Sequence, residues 1–278
     1  MADNRRSRQA RLAAEQALVR VVHHYGSLPE FVLIGGLVPQ LLCAGSRFQH
    51  AGTTDVDVQV DLEIACGVVN TARLEKALKS AEFAPDGNRF WRWVTRDVSG
   101  RTVIKFELLA DLEDMKTMTE FKFDQCDRLG AVNLRGTGFA AKDVVLKTLT
   151  AEVDSLTRTV QMNVTGLAGF LLSKTAAAYS RDGHKEKDWY DLAFVLLHND
   201  DGGPVAAAMA VKRRFAAELA GYIRTALNEL FANFATVRDQ GPQAYCDQML
   251  ADHPELDRIQ TAADAVVALE QFRRGLFD

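Results

Sequence analysis

The chain has 278 residues, 47% hydrophobic and 25% charged, with a formal net charge of -4. That length and apolar share allow a full core split over two lobes, while the acidic balance excludes broad coating of nucleic acid and leaves only local basic patches such as Arg5, Arg6, Arg8 and Arg11, or Lys212, Arg213 and Arg214. Cys43, Cys66, Cys126 and Cys246 have no paired zinc-type spacing and no disulfide framework is expected at this size; with no bilayer-spanning run and no signal-type apolar stretch, the expected location is cytoplasmic and away from membranes.

Residues 4 to 24 read as a mostly polar helix packing through Leu12, Leu18, Val19 and Val22. The apolar run Phe31-Val32-Leu33-Ile34 reads as a strand that stops at Gly35-Gly36 and passes into a helix-compatible segment, residues 37 to 42. A strand ending in two glycines suits phosphate. Without Cβ atoms the backbone N–H groups can approach an anion closely, and the following helix adds its positive end. Gly35 and Gly36 are therefore candidate nucleotide-binding residues.

The run Gly52-Thr53-Thr54-Asp55-Val56-Asp57-Val58-Gln59-Val60 reads as a second strand. Its side chains alternate faces, so Asp55 and Asp57 project from one side about 6–7 Å apart at the backbone, while the valines pack the other. Two like charges held together call for a cation, and Mg²⁺ is bound through one or two carboxylates plus substrate phosphate oxygens. Thr53 points to the same side and is a candidate contact for the incoming nucleotide. The chemistry implied is phosphoryl-type transfer assisted by one or two metal ions.

Residues 71 to 83 read as a helix, and Phe90-Trp91-Arg92-Trp93-Val94 with residues 101 to 109 as a hairpin turning at Ser99-Gly100. In the second arm Val103, Lys105 and Glu107 share a face opposite Ile104, Phe106 and Leu108. Glu107 is the candidate third acid of the metal site, with Asp111 as its competitor. Residues 111 to 138 carry no readable pattern. Residues 160 to 164 suggest a short strand, after which the chain turns helical, with Gly202-Gly203-Pro204 as the clearest break and helices at 205–234, 242–251 and 261–272.

Lys174 lies in an alanine-rich helical pattern. Asp191 directly precedes Leu192-Ala193-Phe194-Val195-Leu196-Leu197, a stretch apolar all round and so expected to be buried. A buried carboxylate needs a partner, and Lys174 is the expected one; held in that way it could contact a nucleotide phosphate. The loop 181–187, rich in positive charge, could bind the phosphates of an RNA acceptor.

Each feature also has a plainer reading. A Gly-Gly turn often does no more than join strand to helix, Asp-x-Asp can be a solvated strand face, Glu107 with Lys105 can be a surface ion pair of small value, and Lys174 can snorkel at a helix edge. Their order along the chain favours the catalytic reading.

The Gly-Gly turn, the Asp-x-Asp strand and the later strand acid resemble the nucleotidyltransferase superfamily of the polymerase β type. Ser173-Lys174-Thr175-Ala176-Ala177-Ala178-Tyr179-Ser180-Arg181 and Lys187-Asp188-Trp189-Tyr190-Asp191-Leu192 are similar to the lysine helix and the Lys-Asp-x-Tyr-Asp-Leu helix of the AbiEii/MenT-like toxin nucleotidyltransferases. The resemblance implies an α/β (α+β) fold: a nucleotidyltransferase lobe with a small mixed sheet, residues 1–164 with the N-terminal helix, then a helical lobe, residues 165–278. It implies transfer of a nucleoside monophosphate from NTP to an acceptor hydroxyl, the acceptor being the 3′ end of tRNA, by a growth-arresting toxin neutralised by a cognate antitoxin. Asp55, Asp57 and Glu107 would hold Mg²⁺, Glu107 serving as third ligand or base, and Lys174 would hold the triphosphate with Asp191 orienting it. One position departs from the family pattern: Ala51 stands where an arginine is common, leaving Arg47 and His50 as nearby candidates for that phosphate contact. The competing readings are a nucleotidyltransferase with a small-molecule or protein acceptor, and a catalytically silent binding module on the same fold.

Overall fold

The computed structural model of the chain describes residues 8–60, 70–97, 99–181, 183 and 185–278; Arg5, Arg6 and Cys66 lie outside them. It is a mixed α/β fold of two compact units, Met1–Val38 with Gly52–Thr165, and Pro39–Ala51 with Gly166–Asp278. The division is therefore not one cut in the sequence. Residues 39–51 belong with the helical unit because its side chains satisfy their backbone: the Asp200 carboxylate accepts from the N–H groups of Ala44 and Gly45 at 3.1 and 2.8 Å, and the Ala51 N–H donates to the Tyr190 hydroxyl at 3.0 Å.

The first unit contains α1 (Arg8–Tyr25), β1 (Val32–Ile34), a 3-10 turn (Gly35–Leu37), the start of α2 (Val38–Leu42), β2 (Asp55–Gln59), α3 (Thr71–Ser80), β3 (Ala84–Pro85), β4 (Arg92–Arg96), β5 (Val103–Ala110), β6 (Glu120–Lys122), β7 (Gly130–Asn133), α4 (Gly138–Lys142), β8 (Val144–Val153) and β9 (Leu156–Thr165). One sheet takes the order β3-β4-β5-β2-β1-β9-β8, with β7 joined to the end of β5 and β6 to β7. The pairs β2–β5, β1–β9 and β5–β7 are parallel and the rest antiparallel.

The alternation read in β2 and β5 is what splits the sheet into two faces. Val56, Val58, Ile104, Phe106 and Leu108 are fully or almost fully buried on one side, where burial of each large apolar side chain is worth roughly 1.5–3 kcal/mol. On the other side β1, β5 and β7 contribute Val32, Ile34, Leu109 and Val132 to a cluster with Trp91 and Ala140.

Two elements escaped the periodicity. Residues 111–138 form β6 and β7, of three and four residues, too short to show a repeat. The buried Asn133 side chain ties down the loop before them, accepting from the Leu112 N–H at 2.7 Å and donating to the Met115 carbonyl at 2.7 Å. The strand expected at 160–164 is the inner end of a ten-residue strand paired along its length with β8. Its turn, Asp154-Ser155, has both residues at positive φ (52° and 61°), the twist-compatible hairpin conformation usually signalled by glycine or asparagine.

The second unit contains α5 (Leu167–Ser180), α6 (Glu186–His198), α7 (Pro204–Phe215), α8 (Gly221–Ala232), α9 (Gln240–Asp252) and α10 (Arg258–Phe277). The single helix expected at 205–234 is broken by a 3-10 turn, Ala216–Glu218. The stretch 192–196 of α6 is fully buried, as its all-round apolar character requires. Among the described residues no helix is long and apolar enough to cross a membrane.

Burial in this unit has a pH signature. The His198 imidazole is pushed down from 6.5 to about 4, first by burial and then by the Arg47 charge, while its Nε2 lies 2.9 Å from the Tyr245 hydroxyl. A base whose folded value is depressed contributes stability above its unfolded value, and that contribution is lost as pH falls through the folded one. Urea midpoints should therefore fall progressively between pH 6.5 and about 4. In His198→Gln the slope over that window should be shallower.

Candidate functional site

In the first unit the site is built where β1 ends. Gly35 sits at φ +73°, and a Cβ there would lie 2.0 Å from Asp57 Oδ2; a Cβ on Gly36 would lie 2.8 Å from Thr53 Cγ2. The pair of glycines thus lets the turn backbone lie directly against the side chains of Asp57 and Thr53. This is a steric role that the phosphate reading of Gly35 and Gly36 did not include. Gly35→Ala should destabilise the protein by about 1–3 kcal/mol in urea unfolding, combining backbone strain with displacement of Asp57.

Strand register gathers the acids. Asp57 pairs with Ile34 on one side and Glu107 on the other, and Asp55 pairs with Lys105. Because register partners share a face, Asp55, Asp57, Lys105 and Glu107 all project from the side opposite the valines. The Thr53 hydroxyl accepts from the Asp55 N–H at 3.0 Å, shaping the entry to β2. Asp111, the competing acid, is occupied otherwise: Oδ2 accepts from the N–H groups of Gly136 and Gly138, both at 2.9 Å, and holds the turn into α4.

The three carboxylates share a face without forming a closed cage, and among the described residues no group of three His, Cys, Asp or Glu side chains converges on a metal position. The reason is local pairing. Arg92 Nε lies 2.7 Å from Glu107 Oε1, and Lys105 Nζ lies 3.1 Å from Asp55 Oδ1. Burial raises the Glu107 carboxyl above its ordinary range; the charge of Asp55 pushes it further up, and Arg92 and Lys105 pull it back. Asp55 and Asp57, as two hard oxygen donors on one face, fit Mg²⁺, which needs only one or two carboxylates and keeps several waters. Glu107 fits as a ligand only if it exchanges Arg92 for the ion.

In the second unit α5 and α6 carry a buried ionic network. Lys174 Nζ lies 2.7 Å from Asp191 Oδ2 and 2.9 Å from Asp188 Oδ1. Arg181 Nη1 holds Asp188 Oδ2 at 2.7 Å, and His50 Nε2 holds Asp191 Oδ1 at 2.9 Å. The expected Lys174–Asp191 pair is thus present, with Asp188 as a second partner. The spacing of Asp188 and Asp191 on one helix, three residues apart, places both on one face and could have revealed it. His50 is fully buried here, in contrast to the phosphate contact considered for it, and Arg47 lies with its guanidinium 4.6 Å over the Phe48 ring.

These segments fall inside the match to a known family, described as "Nucleotidyl transferase AbiEii toxin, Type IV TA system", which spans residues 17–271. The chain belongs to the AbiEii nucleotidyl transferase toxin family. No curated protein matches it. Membership in the AbiEii family makes it a nucleotidyltransferase toxin of a toxin–antitoxin system at the level of the family, with a nucleotide substrate and an antitoxin partner. Arg92 was not singled out in the sequence; Asp188 entered it only within the Lys-Asp-x-Tyr-Asp-Leu segment, and Arg181, read there as part of a loop for RNA phosphates, here holds Asp188. Arg92 was within reach, because counting outward from the hairpin turn brings it opposite Glu107.

Proposed function

We propose that this AbiEii-family protein transfers a nucleoside monophosphate from an NTP to an acceptor hydroxyl with Mg²⁺ as cofactor, and that the acceptor is the 3′ end of tRNA. The observation that supports it best is the register Ile34–Asp57–Glu107, with the Gly35 turn against Asp57. Asp55 and Asp57 would hold the cation. Bound there, Mg²⁺ would supply Lewis-acid activation of the hydroxyl and neutralisation of the leaving pyrophosphate. The acceptor oxygen attacks the α-phosphorus, the bond to the β-phosphate bridging oxygen breaks, and Glu107 takes the hydroxyl proton. Lys174, anchored by two carboxylates, is assigned to the triphosphate charge, with Asp191 orienting it; Gly36 and Thr53 are assigned to nucleotide contact.

Incubation with each labelled NTP, Mg²⁺ and total RNA tests the reading, a parallel incubation with total protein covering the other acceptor class. Label on RNA of tRNA size supports it; label only on protein or on a small molecule replaces the tRNA acceptor. A second reading has its own observation. Lys105 and Arg92 already compensate Asp55 and Glu107 within the protein, which is what a catalytically silent binding module would need. Mg²⁺ or NTP binding without turnover on any acceptor would decide for that module.

A further inference from the structure

The Lys174 network is a bracket with two ends of different kinds. Each carboxylate gives one oxygen to Lys174 and the other to an orienting donor: Asp188 to Arg181, Asp191 to His50. The Arg181 side chain is 50% exposed whereas those of His50 and Asp191 are 0% exposed. Water can replace a lost Arg181 at the outer end. It has no such access to the inner end, where an unpaired carboxylate oxygen would carry the full desolvation cost.

The His50 ring itself is fixed from several directions. It stacks on Tyr190 at a centroid distance of 4.8 Å and meets Phe194 edge-on at 5.0 Å. The His50 N–H of the backbone donates to Gln40 Oε1 at 2.9 Å, and the next residue, Ala51, donates to the hydroxyl of the same Tyr190. With an ionised Asp191 as partner, Nε2 must carry the proton, so the ring is a donor to Oδ1. Oδ1 being held, Oδ2 is aimed at Lys174.

We propose that His50 is a positioning residue of the nucleotide site: by donating from Nε2 to Asp191 it fixes the carboxylate that aims the Lys174 ammonium. The proposal deepens the reading of Lys174 as the triphosphate contact and rests on it for the kinetic effect alone. The His50 side chain is fully buried. Its action runs through Asp191.

The test compares His50→Phe, which keeps a ring for Tyr190 and Phe194 but has no donor, with His50→Gln, which keeps a donor of similar reach, and with Arg181→Ala. With Mg²⁺ and an equimolar mixture of the four NTPs, His50→Phe is expected to raise the apparent KM about tenfold, about the worth of one hydrogen bond to a charged group. His50→Gln should recover most of that loss and Arg181→Ala should change it less than threefold. A His50→Phe variant that folds with unchanged KM, or a His50→Gln variant worse than it, overturns the proposal, because either result makes the ring a packing element only. A second measurement needs no turnover. In proton NMR the buried Nε2–H should give a slowly exchanging downfield signal that is absent in His50→Phe and displaced in Lys174→Gln. A signal unmoved by Lys174→Gln overturns the coupling even if His50→Phe fails to fold. If the wild-type protein transfers nucleotide to nothing while this displacement is seen, the nucleotidyltransferase reading fails and the bracket stands.

Discussion

Asp57→Asn should lower nucleotide transfer by at least about 10²–10³-fold while leaving the fold intact or slightly more stable. The sign of the stability change follows from the cluster itself. Asp55, Asp57 and Glu107 lie on one sheet face, and burial together with Asp55 holds the Glu107 carboxyl above its ordinary range. An acid raised in the fold contributes stability that is present below its unfolded value and is lost as pH rises through the folded one. At neutral pH its carboxylate is therefore a cost, and Asp57, its register partner on the same face, adds a like charge whose removal relieves part of that cost. A bound cation should do the same. In the wild-type protein, Mg²⁺ at about 100 times its Kd should add about 2.7 kcal/mol of stability, which chelation should reverse. Turnover and thermal midpoint measured together with and without Mg²⁺ check both halves. If Asp57→Asn keeps near wild-type turnover, or Mg²⁺ stabilises that variant as much as the parent, the acid pair is not the metal centre.

Removal of Lys174 should be among the most destabilising single changes in the helical unit. Its ammonium serves two carboxylates that are 1% and 0% exposed. Breaking a buried pair by deleting one partner typically costs about 3–5 kcal/mol, because the charge left behind is uncompensated. Asp191→Ala should be less severe than Lys174→Ala, since Asp188 still holds the lysine. A double-mutant cycle between Lys174→Ala and Asp191→Ala should then be non-additive by about 0.5–3 kcal/mol in denaturant unfolding, with a parallel coupling in NTP affinity. Additive effects in both would separate the two residues and remove this account of how Lys174 is held.

How much of this could be read from the chain depended on whether a partner was close in sequence or pattern. The two-residue alternation in Asp55–Gln59 and Val103–Ala110 already assigned Asp55, Asp57 and Glu107 to the strand faces opposite Val56, Val58 and Phe106, because period-two burial is a local property of an extended chain. The all-round apolar stretch after Asp191 likewise announced a buried helix and hence a buried carboxylate. What the linear pattern could not give was which surfaces meet. That Glu107 stands beside Asp57 is set by the parallel β2–β5 register, and that Arg92 occupies its carboxylate follows from the antiparallel β4–β5 pairing. The steric role of Gly35 depends on a contact with Asp57, 22 residues away by their numbering, that exists only when β1 and β2 are paired.

The helical unit makes the same point more strongly. Local sequence named Lys174 and Asp191, since each carries its own signal: a lysine in an alanine-rich helix and an acid at the head of an apolar run. His50 carried no such signal. It sits 141 residues from Asp191 in a short segment between β1 and β2, and only the packing of residues 39–51 with α6 places its ring on Tyr190 and its Nε2 on the carboxylate. Periodicity reports which side of an element is buried, because that depends on neighbours along the chain. The identity of a buried polar group's partner is decided by the folded contacts, where desolvation leaves no alternative to a specific hydrogen bond.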